Sequence, residues 1–485
     1  MTRERPAYAP RKYQSYVLER IRSSRGRNVL VELDCGLGKR FITHQLVAEI
    51  FPELSFLIVV HSTSSLVETL DYLRREYGID EGQLGELSSR ISSPRRLRVL
   101  MERRVVVTTP QVLTRVLEDH PEAASRFDAV IVNEIDTLVR RVGDSVSLVY
   151  PWSTLFSMLE GKWIVGMSGT LRDDHAVFND KQLEIRNELV TLKQVLLGAE
   201  LITMDELYGS TDVEQFLEPT VIRVVHIDDR NIRAIALVLD ELIQSTRSEI
   251  VAELVRDGNE ELVEGDIRRI HLMLSRLPVS DEVKGRYSAL LMLRKYVYGM
   301  PPSSFIRMFH NEYLAHYFNL RGMASTIPEV SSKTVEVLRL SKSRPKTVVL
   351  TSYLEMVDQI RETLERSGIS VLTLTGRSHD KADVLNAFRN DPSARVLVMS
   401  PVGERDLDMP QADLMIVCDV INTPKTMYQK FKRTRGGEVV ILAYAGTSET
   451  RKVERLVKSV LDRYPWSTTV SPETSNSDDW QGEFH

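Results

Sequence analysis

At 485 residues, with 42% hydrophobic and 27% charged side chains, the chain is too long for one hydrophobic core and has the make-up of a folded protein. A net charge of -5 excludes a global basic field, so any nucleic-acid contact must come from a local patch or a lined channel. Cys35 and Cys418 give no disulfide framework and no zinc site of their own; with a polar N-terminus and no run of ~18 apolar residues, they predict a cytoplasmic protein, neither secreted nor membrane-embedded.

From about residue 10, short β-branched runs alternate with helical stretches: 28–33, 56–60, 105–109, 129–132 and 163–167. Buried parallel strands joined by crossover helices read this way. Between about 230 and 330, Ile235, Leu239, Leu242 and Ile243 recur at helical spacing, followed by Leu254, Ile267, Ile270 and Leu274, which predicts an all-helical insertion. The βα alternation returns at 347–350, 370–374, 395–399, 414–418 and 438–443. The expected class is α/β: one lobe over 1–229, a helical insertion over 230–335, and a second lobe over 336–464. Residues 465–485 are rich in Ser, Thr, Asn and Asp and predict an unstructured tail. Trp480 and Phe484 lie among acids there, which suits a partner-binding peptide, although the composition favours an inert tail.

The first run leads into Asp34, Cys35, Gly36, Leu37, Gly38, Lys39 and Arg40, and then a helix over 41–49. A Gly-rich turn at a helix N-terminus aims several backbone N–H groups at one spot, where the helix dipole also favours an anion. Lys39 would then sit on the phosphates. A G-x-G-K string is common by chance and equally describes a structural turn; its place between a strand and a helix favours phosphate.

Further strings fall around it in order. Pro10 to Gln14 precedes the loop, and His61 to Val67 and Thr108 to Gln111 follow it. Val130 to Asp136, Met167 to Thr170, Ser400 to Pro410 and Tyr428 to Gly437 come next. Together they resemble the Q motif and motifs I to VI of superfamily two helicases, most closely the archaeal Hef and Fanconi-anaemia M-type DNA helicases, over about residues 10 to 460. The resemblance implies two RecA-like lobes around the helical insertion, with ATP and Mg²⁺ as cofactors. It implies nucleotide binding by Gln14, Gly36, Gly38, Lys39, Arg40 and Asp408, Gln14 reading adenine, and Walker B roles for Asn133, Glu134 and Asp136. Glu134, Arg433 and Arg435 are the candidate catalytic residues.

The string departs from that family at five positions. Arg40 replaces the Ser or Thr hydroxyl that ligates Mg²⁺. Asn133 replaces the Walker B Asp, while the base Glu134 survives. Asp136 stands where the family has His, which links ATP to strand movement. Gly436 stands at the arginine finger, with Arg435 one residue short, and Asp406 replaces a Gly in motif V. A fixed cation near the phosphates also opposes a metal ion electrostatically. These changes predict a pseudo-helicase with weak or absent hydrolysis and weakened Mg²⁺ binding; each alone also reads as drift at a tolerant position.

For nucleic acid, the resemblance implies backbone contacts from Thr63, Thr109, Gln111, Thr351, Gly376 and Arg377, with no base readout. Arg90, Arg95, Arg96, Arg98, Arg103 and Arg104 form a basic stripe that reads equally as a solvated helix face, and Lys430, Lys432, Arg433 and Arg435 form a second. The resemblance further implies forked or branched DNA as ligand and, if the source is archaeal, a nucleoid-associated protein. No nuclease signature follows the second lobe, which predicts a separate XPF-type nuclease or other repair factor as partner. Two alternatives stay open: an active ATP-driven DNA translocase with an unusual site, and an RNA-binding relative of the innate-sensor and Dicer helicases.

Overall fold

The computed structural model describes residues 9–142, 145–148, 150–172, 174–179, 182–259, 270, 274–275, 277–309, 328–378, 380–400, 411–419, 424–432, 437–466 and 468–470. It forms two compact units, Met1–Leu217 and Glu218–His485.

Within the first unit, β1 (Val29–Glu32), β2 (Phe56–Val59), β4 (Val105–Thr108), β5 (Ala129–Asn133) and β8 (Trp163–Ser168) realise the apolar runs of the sequence. Almost every residue in them is buried, as strands covered on both faces must be. With β3 (Leu84–Leu87) and β11 (Glu200–Ile202) they make a seven-stranded parallel sheet in the order β11-β1-β8-β5-β2-β4-β3. Helices α1 (Lys12–Ser23), α2 (Lys39–Gln45), α3 (Thr63–Arg75), α4 (Ser93–Glu102) and α5 (Pro110–Asp119) connect or flank these strands. All the strands being parallel, their C-terminal ends line up along one edge, the usual place for a ligand site in such sheets.

The sequence reading missed β3 and β11, and two hairpins. β6 (Val139–Val142) pairs antiparallel with β7 (Ser145–Leu148), and β9 (Asp174–Asn179) with β10 (Gln182–Asn187). The two hairpins touch each other, one following β5 and the other following β8.

In the second unit the sheet order is β14-β15-β13-β16-β17-β12-β18. Here β12 is Thr220–Ile227, β13 Thr347–Leu350, β14 Val371–Leu374, β15 Val396–Met399, β16 Leu414–Val417, β17 Glu438–Tyr444 and β18 Thr468–Val470. Two expected boundaries move. β12 pairs parallel with β17 from Val221↔Glu438 to Ile227↔Tyr444, so residues 218–229 belong to the second unit although they precede its other strands in sequence. β18 pairs with β12, and Trp466 is buried, so the expected tail is structured at its start: main-chain pairing outweighs a polar composition there. Residues 471–485, with Trp480 and Phe484, lie outside the described residues.

The helix Arg230–Arg256 begins at Asp229, whose carboxylate accepts from the N–H groups of Asn231 (3.1 Å) and Ile232 (3.0 Å). Its stripe of Ile235, Leu239 and Ile243 packs with Tyr287, Leu290 and Leu293 of the helix Asp281–Gly299 in one core. Ile267, expected in that stripe, lies outside the described residues. The helix Ser332–Ser341 carries a fully buried Lys333. Its Nζ donates to Tyr298 O (2.9 Å), Cys418 O (2.7 Å) and Glu449 Oε1 (2.6 Å), and Glu449 Oε2 accepts from Tyr444 N (3.0 Å). Burial pushes the Glu449 carboxyl up while Lys333 pulls against it.

Candidate nucleotide and nucleic-acid site

The loop leaving β1 turns twice through the left-handed region, at Gly36 (φ 84°) and Gly38 (φ 86°). Glycine is required at Gly38 on two counts, since a Cβ there would also lie 2.7 Å from Gln14 Nε2. The turns deliver Lys39 to the first residue of α2. Its ammonium donates to Leu33 O (3.2 Å) and lies 3.8 Å from Glu134 Oε1. Burial pulls Lys39 down, but the negative field of Glu134, Cys35, Asp34 and Asp136 carries it above the ordinary lysine value. Gly169 closes the cradle from β8: a Cβ on it would meet Leu33 O and Lys39 Nζ at 3.2 Å and Cys35 N at 3.3 Å. Three segments distant in sequence thus converge on one lysine and a Gly-rich turn at a helix N-terminus, an arrangement that suits a phosphate group.

The helix α1 holds this loop from behind. Tyr13 Oη donates to Leu37 O (2.9 Å), and Gln14 Nε2 to Leu37 O and Tyr13 Oη (3.3 Å each). Gln14 Oε1 accepts from Arg11 N (3.0 Å). The Gln14 amide is therefore engaged in fixing the loop. Arg11 stacks over the Phe216 ring at 4.0 Å, and Tyr13 N donates to Asp212 Oδ1 (2.9 Å), a pairing to the end of the unit that the sequence did not signal.

At the end of β5, Glu134 has φ 56°, ψ 52°, an uncommon conformation for a residue with a side chain, costing roughly 1 kcal/mol. Thr137 fixes it by donating from N (3.0 Å) and Oγ1 (2.9 Å) to Glu134 O, which turns the carboxylate toward Lys39. The departures from the family pattern have definite partners. Arg40 is exposed and paired with Glu68 of α3. Asn133 Oδ1 lies 3.3 Å from Thr43 Oγ1, a hydroxyl that also reaches Lys39 O (3.1 Å) and is fully buried.

Asp136, counted as a lost link from sequence, instead joins two motifs. Its carboxylate accepts from Ser168 Oγ (2.7 Å) and Thr170 Oγ1 (3.4 Å), next to Gly169. Arg172 then binds Glu32 at the end of β1 through two bonds of 2.6 and 2.8 Å, fixing the chain that leaves the cradle. The sequence reading missed Arg172 and Glu32; a buried Glu in an apolar strand was the available signal. Among the described residues, no group of three or more His, Cys, Asp or Glu is placed to hold a metal ion. Lys39 and the Gly-rich turn suit a phosphate, while Arg40 and Asn133 bring a cation and a neutral amide to positions where the family has a hydroxyl and a carboxylate.

Of the nucleic-acid candidates, Thr63 at the start of α3 and Gln111 on the first turn of α5 are exposed, and Thr109 caps α5. Since β2 and β4 are neighbours, both helix N-termini stand side by side on the C-terminal edge of the sheet. Gly376 and Arg377 form an exposed turn after β14. Thr351 is not at the surface: it is 2% exposed and donates to Asp419 Oδ2 (3.0 Å), because its place at the end of a central strand buries it. Half the basic stripe is structural, Arg96, Arg103 and Arg104 being bonded to main-chain carbonyls. Arg90, Arg95 and Arg98 are exposed. Lys432 is buried and donates to Glu218 O (2.9 Å). Asp406, Asp408, Arg433, Arg435 and Gly436 lie outside the described residues.

Two family models match the chain: "Type III restriction enzyme, res subunit" over residues 7–173 and "Helicase conserved C-terminal domain" over residues 330–437. A DEAD-box ATP-dependent RNA helicase FANCM of Arabidopsis thaliana is 23% identical over 477 residues, 87% of this chain and 34% of that protein. The Fanconi anemia group M protein homolog of Mus musculus is 21% identical over 523 residues, 90% of this chain and 25% of that protein. The chain thus spans about a third or less of these relatives' length. The Pyrococcus furiosus Hef helicase domain shares the fold, with a TM-score of 0.60 at 17% identity, covering 92% of this chain and 98% of that one. Among the described residues no helix is long and apolar enough to cross a membrane. Two parallel seven-stranded sheets, a Gly-rich phosphate loop joined to its Walker B and motif III segments, and these matches give the chain a superfamily two helicase core, similar to the Hef and Fanconi-anaemia M-type helicases.

Proposed function

We propose that this chain is a Hef-like helicase homologue that binds forked or branched DNA and serves as a DNA-binding or recruiting subunit in repair or recombination. ATP hydrolysis is weak or lost, and a nuclease-type partner supplies the chemistry, as the resemblance to Hef-like proteins suggests. One observation carries the loss of hydrolysis: of the two positions that would serve Mg²⁺, one holds a cation and the other a neutral amide without the carboxylate's charge, and both are paired elsewhere, Arg40 with Glu68 and Asn133 with Thr43. The exposed Thr63 and Gln111 beside Thr109 support backbone contacts with a strand, and Arg90, Arg95 and Arg98 add local positive charge.

The test is Mg²⁺-dependent ATP hydrolysis with and without forked DNA, for the native chain, for Lys39→Ala, and for a repaired Arg40→Thr, Asn133→Asp, Gly436→Arg variant. The expected result is fork binding by the native chain with hydrolysis absent or seen only in the repaired variant. Turnover by the native chain that Lys39→Ala abolishes sinks this reading in favour of an active translocase. That second reading has its own support, because the Lys39–Glu134 pair and the Asp136–Ser168–Thr170 link are assembled. Parallel titration with duplex RNA separates a DNA from an RNA ligand.

A further inference from the structure

Arg40 and Asn133 read separately as two losses, but electrostatically they are one exchange. In the family pattern the cradle holds the P-loop lysine, the metal's two positive charges, and the negative charges of the Walker B Asp and Glu. Counting the metal and the Walker B Asp position alone, removing both charges leaves the cradle short by one positive charge; Asp136, bonded to Ser168 and Thr170, adds a further negative charge nearby and makes a second cation more favourable still. Arg40 restores the missing positive charge, while Asn133 keeps the shape of the lost Asp without its sign.

The structure supports the exchange in three ways. Arg40 is the second residue of α2, and among the described residues its side chain bonds to Glu68 in an ion pair in which both side chains are partly exposed. Such a pair is worth at most ~1 kcal/mol, so the guanidinium is readily transferred to a phosphate, with which it makes paired hydrogen bonds. The one hydroxyl on α2, Thr43, is fully buried and bonded to Lys39 O and Asn133, so it cannot take over as the metal's ligand. The backbone cradle of Gly36, Gly38 and Gly169 is meanwhile intact.

We propose that the cradle binds a nucleoside di- or triphosphate as the metal-free anion, with Lys39 and Arg40 together in place of Lys39 and Mg²⁺. The proposal rests on the nucleotide-binding reading given above and adds that the bound nucleotide is a structural ligand indifferent to Mg²⁺. The two substitutions are then interdependent: restoring either one alone leaves the charge wrong.

The experiment is a titration of the full chain with ATP and with ADP, by calorimetry, in excess EDTA and in excess MgCl₂, for the native chain, Arg40→Thr, Asn133→Asp and the double variant. Thermal melts of each confirm folding. The native Kd is expected to agree between the two buffers within about threefold, whereas the double variant binds at least about tenfold more tightly with Mg²⁺. Each single variant is expected to lose about tenfold in EDTA relative to native. Native binding that appears only with Mg²⁺ overturns the proposal and leaves the nucleotide site standing. No binding in either buffer, with a native-like melt, overturns both.

Discussion

The C-terminal edges of the two sheets hold similar inventories of charge and dispose of them in opposite ways. In the first unit Lys39 sits among Asp34, Glu134 and Asp136 with one bond to a main-chain oxygen and a long 3.8 Å contact to Glu134, whose side chain is 33% exposed. In the second, Lys333 and Glu449 are fully closed in, every bond short, with Asp419 capping Thr351 and Ser352 beside them. A lysine with loose partners at a partly open edge is ready to exchange them for a ligand. A lysine saturated by two carbonyls and a carboxylate has nothing to offer a ligand; it fastens the end of the Asp281–Gly299 helix to the ends of β16 and β17. Charge at the edge of an α/β sheet therefore marks a site only where it is incompletely satisfied.

The sharpest way to break this contrast is at Lys333. Lys333→Met leaves a buried Glu449 and two carbonyls without their donor, and is expected to cost about 3 to 5 kcal/mol in urea unfolding of the second unit. Lys333→Met with Glu449→Leu should recover part of that loss; a single variant as stable as native shows the cluster is not a fastener.

Next is a pH effect confined to the first unit. His44 on α2 is fully buried and stacked on Tyr72 at 4.4 Å, and among the described residues neither ring nitrogen has a hydrogen-bond partner. Burial, with Arg40 adding to it, lowers its pKa from 6.5 to about 3. The folded state therefore resists a proton that the unfolded state accepts, so stability is lost as pH falls from about 6.5 toward 3. Between pH 7 and pH 5 the loss from this residue is about 2 kcal/mol. His44→Phe should remove that part of the slope in denaturant titrations at the two pH values; an unchanged slope assigns it to other groups.

Gly169→Ala should cost about 1 to 2 kcal/mol in stability and weaken ATP binding severalfold, because its methyl group presses on Leu33 O, Lys39 Nζ and Cys35 N together. Native-like affinity would mean the cradle is not the phosphate site. The smallest effect, about 1 kcal/mol in the thermal unfolding of the first unit, is expected for Ser168→Ala, which removes one donor from the buried Asp136.

By itself the sequence determined the two βα stretches, the helical run between them and the Gly-rich turn at Lys39. These rest on local periodicity and on backbone conformations open to glycine, both written in neighbouring residues. Only the tertiary structure decided which unit β12 joins, since its partner β17 lies at the far end of the chain and an isolated apolar run does not name its neighbour. The same holds for the side chains that set the chemistry. Arg40 finds Glu68 28 residues away, Thr43 finds Asn133 across 90, and Ser168 finds Asp136 across 32. Residue type showed that Arg40, Asn133 and Asp136 depart from a pattern. Folding showed that Asp136 gains partners there and that Thr351 is withdrawn from the surface, because a side chain's role depends on what the fold brings to within hydrogen-bond distance of it.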